Sequence, residues 1–190
     1  MSPGTWLHEP PAWRWVGDDL EVTTGPETDF WQRSHNGAIR DSGHFLGTEV
    51  TGDFTASVCM RGAYRDRYDQ AGLMVRLSEA VWVKAGIEYV DAEQHRSVVV
   101  TRGYSDWSVA PLTPAPAAFW TRIERSGGSL RIEGSVDGRV WELMRIGWLT
   151  EERTVGVGPM CASPEGSGFE VTFSDLHIDG VSTGSRGSPT

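Results

Sequence analysis

The sequence predicts an all-β fold, a sandwich of two antiparallel sheets packed face to face, and three observations carry that expectation. Glycine and proline are frequent, 23 and 10 among 190 residues, which suits many short strands joined by tight turns. Nine Trp, six Phe and four Tyr supply bulky side chains of the kind that a half-buried pleated surface accommodates. Apolar residues alternate with polar ones in roughly a dozen segments bounded by turn signals, and no segment carries a convincing helical period. The length suits one domain with a sizeable core. The expected domain spans 1–179, and GVSTGSRGSPT at 180–190, without apolar periodicity, reads as a flexible tail.

Taken in order, Trp6, Trp13 and Trp15 surround Glu9, Pro10 and Pro11, and the prolines keep this opening at a sheet edge. Asp18-Asp19 turns into the strand LEVTT. Thr28 to Gln32 reads as a short strand, and His35 to Gly43 as a loop or ribbon with a turn at Asn36-Gly37. Two strands flank Thr51-Gly52-Asp53, the second placing Phe54, Ala56, Val58 and Met60 on one face. After the central hairpin at Asp69 to Glu88 the chain turns at Asp91 to His95 and returns as SVVVT. Gly103 to Ala117 is a proline-rich connection, ordered by Tyr104, Trp107 and Leu112, that could fold over a cleft. AFWTRIERS and LRIEGS are strands joined at SGGS, and Val136 to Arg139 turns into VWELMRI. Trp148 to Thr154 reads as a brief helical turn before VGVGPMCAS, and FEVTFSDLHID is the last strand.

The central hairpin, DQAGLMVRLSEAVWVKAGIE, organises the rest. Ala71, Leu73, Val75 and Leu77 form one parity of its first arm, and Val83, Ala85, Ile87 and Tyr89 one parity of its second. A short connection at Ser78 to Ala80 sets Gln70 opposite Glu88, Gly72 opposite Gly86, Met74 opposite Lys84 and Arg76 opposite Trp82. The non-core face then has two facing glycines, a bare patch of backbone, flanked by an amide, a carboxylate, an ammonium and an indole. Such a patch is a plausible floor for a ligand.

Composition excludes several classes of function. A formal net charge of −9 and a pI near 5.0, with no basic patch, argue against nucleic-acid binding. The N-terminus lacks the charged and apolar regions of a signal peptide, and no stretch approaches the ~20 apolar residues of a membrane helix. A cytoplasmic protein with two reduced thiols, Cys59 and Cys161, is expected. The five histidines have no zinc-like spacing, no Asp/Asn-rich calcium loop occurs, and no phosphate loop or nucleophile elbow stands out. Neither metal nor cofactor is expected.

The chemistry-bearing candidates are therefore few. Glu88, Lys84 and Asp106 are the candidate catalytic groups. Gln70, Asp69, Trp82, Trp107, Trp120, Arg122 and Trp31 are the candidate ligand contacts. Lys84 and Glu88 share a face but stand roughly 13 Å apart along a strand, too far for an ion pair, and Arg122 on its own non-core parity could approach Glu88. Each has a plainer reading: a solvated or salt-bridged outer face for the charges, turn-fixing for Asp69, Asp106 and Asp29, a core position for Trp31. Indoles crowded among charges favour a cleft.

Several motifs also resemble a known family. TDFW at 28–31, YDQAGLMVR at 68–76, WVKAGIE at 82–88, SVVVT followed by SDWS, SVDG at 135–138 and CASPEGSGFEVTF are similar, in order from about Trp13 to Ile178, to the DUF1349 family, which includes a yeast protein named for regulation of enolase. The resemblance implies a concanavalin A-like lectin and glucanase jelly roll with one concave face. Glycosidases of that broad fold carry two or three alternating carboxylates on one strand, where this chain has Lys84, Gly86 and Glu88. A second carboxylate, at ~5 to 9.5 Å, would have to come from a loop through Asp69 or Asp106. Three functions follow as expectations: binding of a small polar ligand such as a sugar or glycoside, acid–base catalysis by Glu88 assisted by Lys84 and Arg122, and a regulatory scaffold for a protein partner.

Overall fold

The computed structural model describes residues 4–180, and among them there are strands and turns but no helix. In chain order the strands are β1 (Thr5–Leu7), β2 (Ala12–Val16), β3 (Asp19–Thr23), β4 (Phe30–Gln32), β5 (Ile39–Asp41), β6 (His44–Thr51), β7 (Phe54–Gly62) and β8 (Gln70–Ser78). They continue as β9 (Val81–Val90), β10 (Glu93–Arg102), β11 (Ser105–Pro111), β12 (Phe119–Ser126), β13 (Ser129–Ser135), β14 (Glu142–Trp148), β15 (Thr154–Ala162) and β16 (Glu170–Gly180).

Two seven-stranded antiparallel sheets form a jelly-roll sandwich. The first has the order β1-β6-β15-β8-β9-β10-β11 and the second β14-β13-β12-β7-β16-β3-β2. Period-two alternation decides which residues meet between them. Leu73, Val75, Val83, Ala85 and Ile87 of the first sheet pack against residues such as Val58, Met60, Ile123, Ile132 and Phe173 of the second. Each of these side chains larger than alanine contributes roughly 1.5–3 kcal/mol on burial, so a one-residue slip of any strand would be heavily opposed.

The hairpin register is the one the sequence implies: Gln70 pairs with Glu88, Gly72 with Gly86, Met74 with Lys84 and Arg76 with Trp82. A bulge between Arg76 and Ser78 ends the alternation, which leaves Leu77 exposed where the strict pattern would bury it. Three local expectations are corrected. Trp148 to Thr154 is not helical, because Trp148 finishes β14 and Thr154 begins β15. Much of the proline-rich connection is strand β11, paired along β10 from Ser105 to Pro111, so it is a sheet edge rather than a lid. Gly180 is the last residue of β16, and the rest of the expected tail lies outside the described residues.

The outer face of the first sheet is partly covered. The ribbon β4–β5 lies over it, and Phe30 joins Phe45, Met74, Trp82, Val99 and Met160 in a second, smaller core. This cluster closes one end of the face and leaves the end near Gln70, Lys84 and Glu88 open as a cleft. Among the described residues no helix is long and apolar enough to cross a membrane.

Candidate functional site

The cleft has a volume of about 510 Å³, within the usual range for small-ligand sites, and Gln70, Lys84 and Glu88 look into it from adjacent strands. A smaller hollow of about 10 Å³, room for one water, lies over Gly86 between Gln70, Lys84, Glu88 and Ser97. The facing glycines serve a tighter purpose than a bare floor. A Cβ on Gly72 would meet the Ala85 carbonyl oxygen at 2.1 Å, and one on Gly86 the Ala71 oxygen at 2.2 Å. The two strands approach so closely there that neither tolerates a side chain.

Glu88 is buried, 7% exposed, with no cation inside ion-pairing distance among the described residues. Its Oε2 accepts hydrogen bonds from Ser97 Oγ at 2.6 Å and Trp107 Nε1 at 2.8 Å, while Oε1 carries none. Burial pushes its pKa above the ordinary 4.5, opposed by the charge of Lys84 and by those two hydrogen bonds. Lys84, 6% exposed, is committed elsewhere: Nζ donates to Phe30 O at 2.8 Å and lies 3.4 Å from Asp29 Oδ1. Gln70 Nε2 donates to Tyr68 O at 3.1 Å and reaches toward Asp29 Oδ1 at 3.5 Å. A carboxylate read as a bend cap thus braces two floor residues, although Asp29 also accepts from the Phe30 amide as a cap would.

Aromatic rings wall the cleft. Trp31 lines it with Nε1 donated to Ser34 O at 3.0 Å, and Phe30, on the other side of the same strand, is buried. Trp107 and Tyr68 meet edge to face with centroids 6.1 Å apart. Trp107 reaches the cleft because it pairs with Val99, whose side chain is on the outer face of the sheet. Asp106, one residue earlier, pairs with the core-facing Val100 and does not line the cleft.

Other candidates are not brought to this place. Trp120 and Arg122 belong to β12 in the opposite sheet, so the expected approach of Arg122 to Glu88 is corrected. Arg122 instead bonds Glu133 at 2.5 Å and covers the Trp141 ring, and Trp120 Nε1 donates to Asp175 at 3.2 Å. Trp82 is fully buried in the second core with Nε1 donated to Glu79 O, which removes it as a stacking platform. Asp69, also fully buried, fixes a knot behind the cleft: its carboxylate accepts from the Arg65 and Asp66 amides and from Ser163 Oγ. Tyr68, Glu27, Arg40 and Glu165 line the cleft and were not indicated by strand parity, since none lies at an outward position of the central hairpin.

The loop that carries Glu27 and Asp29 is tied down at both ends. Thr28 exchanges backbone and hydroxyl hydrogen bonds with Ser163, and the Gly25 amide donates to His44 Nε2 at 2.9 Å. His44 is neutral in this geometry, with Nδ1 donating to His8 O, and burial lowers its pKa.

With this geometry in place the kinship is clear. The family model described as "Protein of unknown function (DUF1349)" matches residues 6–180. The chain belongs to that family. It is 42% identical over 178 residues to Regulation of enolase protein 1 of Saccharomyces cerevisiae, spanning 94% of this chain and 90% of that one. The crystal structure of a functionally unknown protein from the same yeast superposes with a TM-score of 0.91 at 41% identity, over 95% of this chain and 97% of that one. The DUF1349 chain also shares its fold with the carbohydrate binding module CBM66 from Bacillus subtilis, at TM-score 0.59 and 10% identity, over 94% and 97% of the two chains.

A test of Glu88 follows from its burial alone. With the folded-state pKa above the unfolded value, the native protein binds more protons between the two. Its contribution to stability is therefore full below about pH 4.5 and is lost as pH rises through the folded value. Glu88→Gln, which removes the buried charge, should therefore be more stable than the parent at pH 7. The gap should close toward pH 4. Urea unfolding at both pH values measures it, and a variant less stable at pH 7 would contradict the cause assigned to the shift.

Proposed function

We propose that this is a cytosolic jelly-roll protein that binds a small polyhydroxylated ligand, a sugar or glycoside, in the cleft above Gln70, Lys84 and Glu88. The observation that carries the reading is the state of Glu88: buried, anchored through one oxygen, and with its second oxygen free beside an open, aromatic-walled cleft. That second oxygen has no protein partner yet is reached from the cleft, where a ligand hydroxyl would take the place of water as its donor. Trp31, Trp107 and Tyr68 would offer ring faces to the apolar side of a sugar. The fold shared with a carbohydrate binding module adds support by analogy only. Free, buried Cys59 and Cys161 suit a reducing compartment.

Calorimetric titration of the full chain with a panel of mono- and oligosaccharides tests this. At least one should bind, and Gln70→Ala and Trp107→Ala should each weaken it by roughly tenfold, the scale of one lost hydrogen bond or ring contact. Arg122→Gln, in the opposite sheet, should not. Equal loss in all three variants would remove the cleft from the account.

Acid–base catalysis is the second reading, favoured by the raised proton affinity of Glu88. Lys84 would act electrostatically, Asp106 would have no part, and Asp29 is the nearest candidate for a second carboxylate. Aryl-glycoside hydrolysis that persists in Glu88→Gln would eliminate it. A protein-docking role would draw on a different surface, the edge strand β14, where Leu143, Ile146 and Trp148 are exposed. It requires that serine at Leu143 and Ile146 abolish co-purification of a partner while cleft variants do not.

A further inference from the structure

The charges around the cleft do not balance. Glu27, Asp29, Glu88 and Glu165 line it against Lys84 and Arg40, with His35 at the same wall. Asp29 and Lys84 satisfy one another at 3.4 Å. That leaves three lining carboxylates against the Arg40 guanidinium and, stacked on the Tyr68 ring of the wall, the Arg67 guanidinium, none of them in an ion pair among the described residues. Arg40 is displaced from the floor: it stands on the two-stranded ribbon opposite Trp31, exposed.

We propose that the ligand carries a protonated amine, seated against the free Oε1 of Glu88 and between the rings of Trp31, Trp107 and Tyr68, which makes an amino sugar the ligand class. The proposal rests on the saccharide-binding reading and adds the charge to it. Three features point to a molecular cation. Glu88 is desolvated without a cationic partner, and a buried carboxylate is stabilised most by a charge that arrives with its own hydrogen bonds. The Trp31 and Trp107 N–H groups are both spent inside the protein, on Ser34 and Glu88, so what these rings offer a ligand is their faces. Ring faces attract cations, and Tyr68 already takes one, with the Arg67 guanidinium 4.6 Å from its centroid. A metal ion fits less well, because no three carboxylate, imidazole or thiol groups converge among the described residues. An acidic ligand, such as a uronate, would meet the unpaired carboxylates.

The test is titration of the full chain with matched sets in the gluco and galacto series: the free amino sugar, the parent hexose, the N-acetylated sugar and the uronate, together with ethanolamine as a protonated amine that is not a sugar. The amino sugar should bind roughly ten- to a hundredfold tighter than its hexose or acetamido counterpart, the range of one charge-assisted hydrogen bond. The uronate should bind worst. In Glu88→Gln, confirmed folded by its thermal melt, the ratio of amine to hexose affinity should collapse to about threefold or less. Equal affinity for amine and hexose overturns the proposal and leaves saccharide binding standing. Binding of ethanolamine with no sugar bound supports the amine and overturns the saccharide. No binding by any member overturns both.

Discussion

Asp69→Ala is expected to cost about 3 kcal/mol or more and to lower the melting temperature by roughly 10 °C in a chain of this size. The carboxylate is fully buried and accepts from the Arg65 amide at 3.1 Å, the Asp66 amide at 2.9 Å and Ser163 Oγ at 2.5 Å. Truncation removes the acceptor of the buried Ser163 hydroxyl and of the part-buried Arg65 and Asp66 amides, and a donor orphaned at full burial costs about 1–3 kcal/mol. Ser163 makes the effect spread. Its amide and carbonyl hold Thr28, whose neighbour Asp29 braces Lys84 and Gln70, and its hydroxyl also accepts from the Gly168 amide. Hydrogen exchange at Thr28 and Asp29 should therefore accelerate in Asp69→Ala beyond what the global loss of stability explains. A double-mutant cycle with Ser163→Ala should give a coupling of about 1–3 kcal/mol. A variant that melts within a degree or two of the parent would refute the knot.

That knot also joins three stretches that are distant in sequence. Thr28 of TDFW and Asp69 of YDQAGLMVR are far apart in the chain, yet both bond directly to Ser163 of CASPEGSG. Their joint meaning is structural first. They fix the loop, and the loop supplies the cleft wall.

What was legible in the sequence was local. The register of β8 on β9 and the shared outward face of Gln70, Lys84 and Glu88 follow from alternation across a short connection, where parity and pairing are set by the same few residues. What parity cannot carry is sheet membership. Every strand of a sandwich has an outer face, but there are two outer faces on opposite sides of the molecule, and only long-range pairing decides between them. Trp120 and Arg122 have the parity of Glu88 and the wrong sheet. Trp82 illustrates the other limit: its face was read correctly, but the β4–β5 ribbon that covers it comes from far earlier in the chain, with Phe30 packed 6.2 Å away. Asp29 escaped for a related reason. A carboxylate that caps a bend and a carboxylate that meets a buried ammonium look the same until the bend is placed over the sheet.

Gly86→Ala should be at least as damaging, and for a reason unrelated to conformational preference. The added methyl would stand 2.2 Å from the Ala71 carbonyl oxygen and 2.6 Å from the Gly72 Cα, both backbone atoms of the adjoining strand. No rotamer change relieves such a clash, so β8 and β9 must separate or slip. Overpacking of this kind costs about 1–3 kcal/mol where side chains can yield and more where only backbone can. The expected result is a loss of about 3 kcal/mol or more, with Gln70 and Glu88 pulled out of register and ligand affinity lost with them. Gly147→Ala is the control, since its added methyl meets only Val100 Cγ2 at 3.9 Å, and it should change stability by less than about 1 kcal/mol. Denaturant midpoints for the two variants separate the cases. If Gly86→Ala unfolds at the same midpoint as Gly147→Ala, then the strands do not approach as closely as described, and the floor of the cleft is wider than the geometry of Gln70, Lys84 and Glu88 implies.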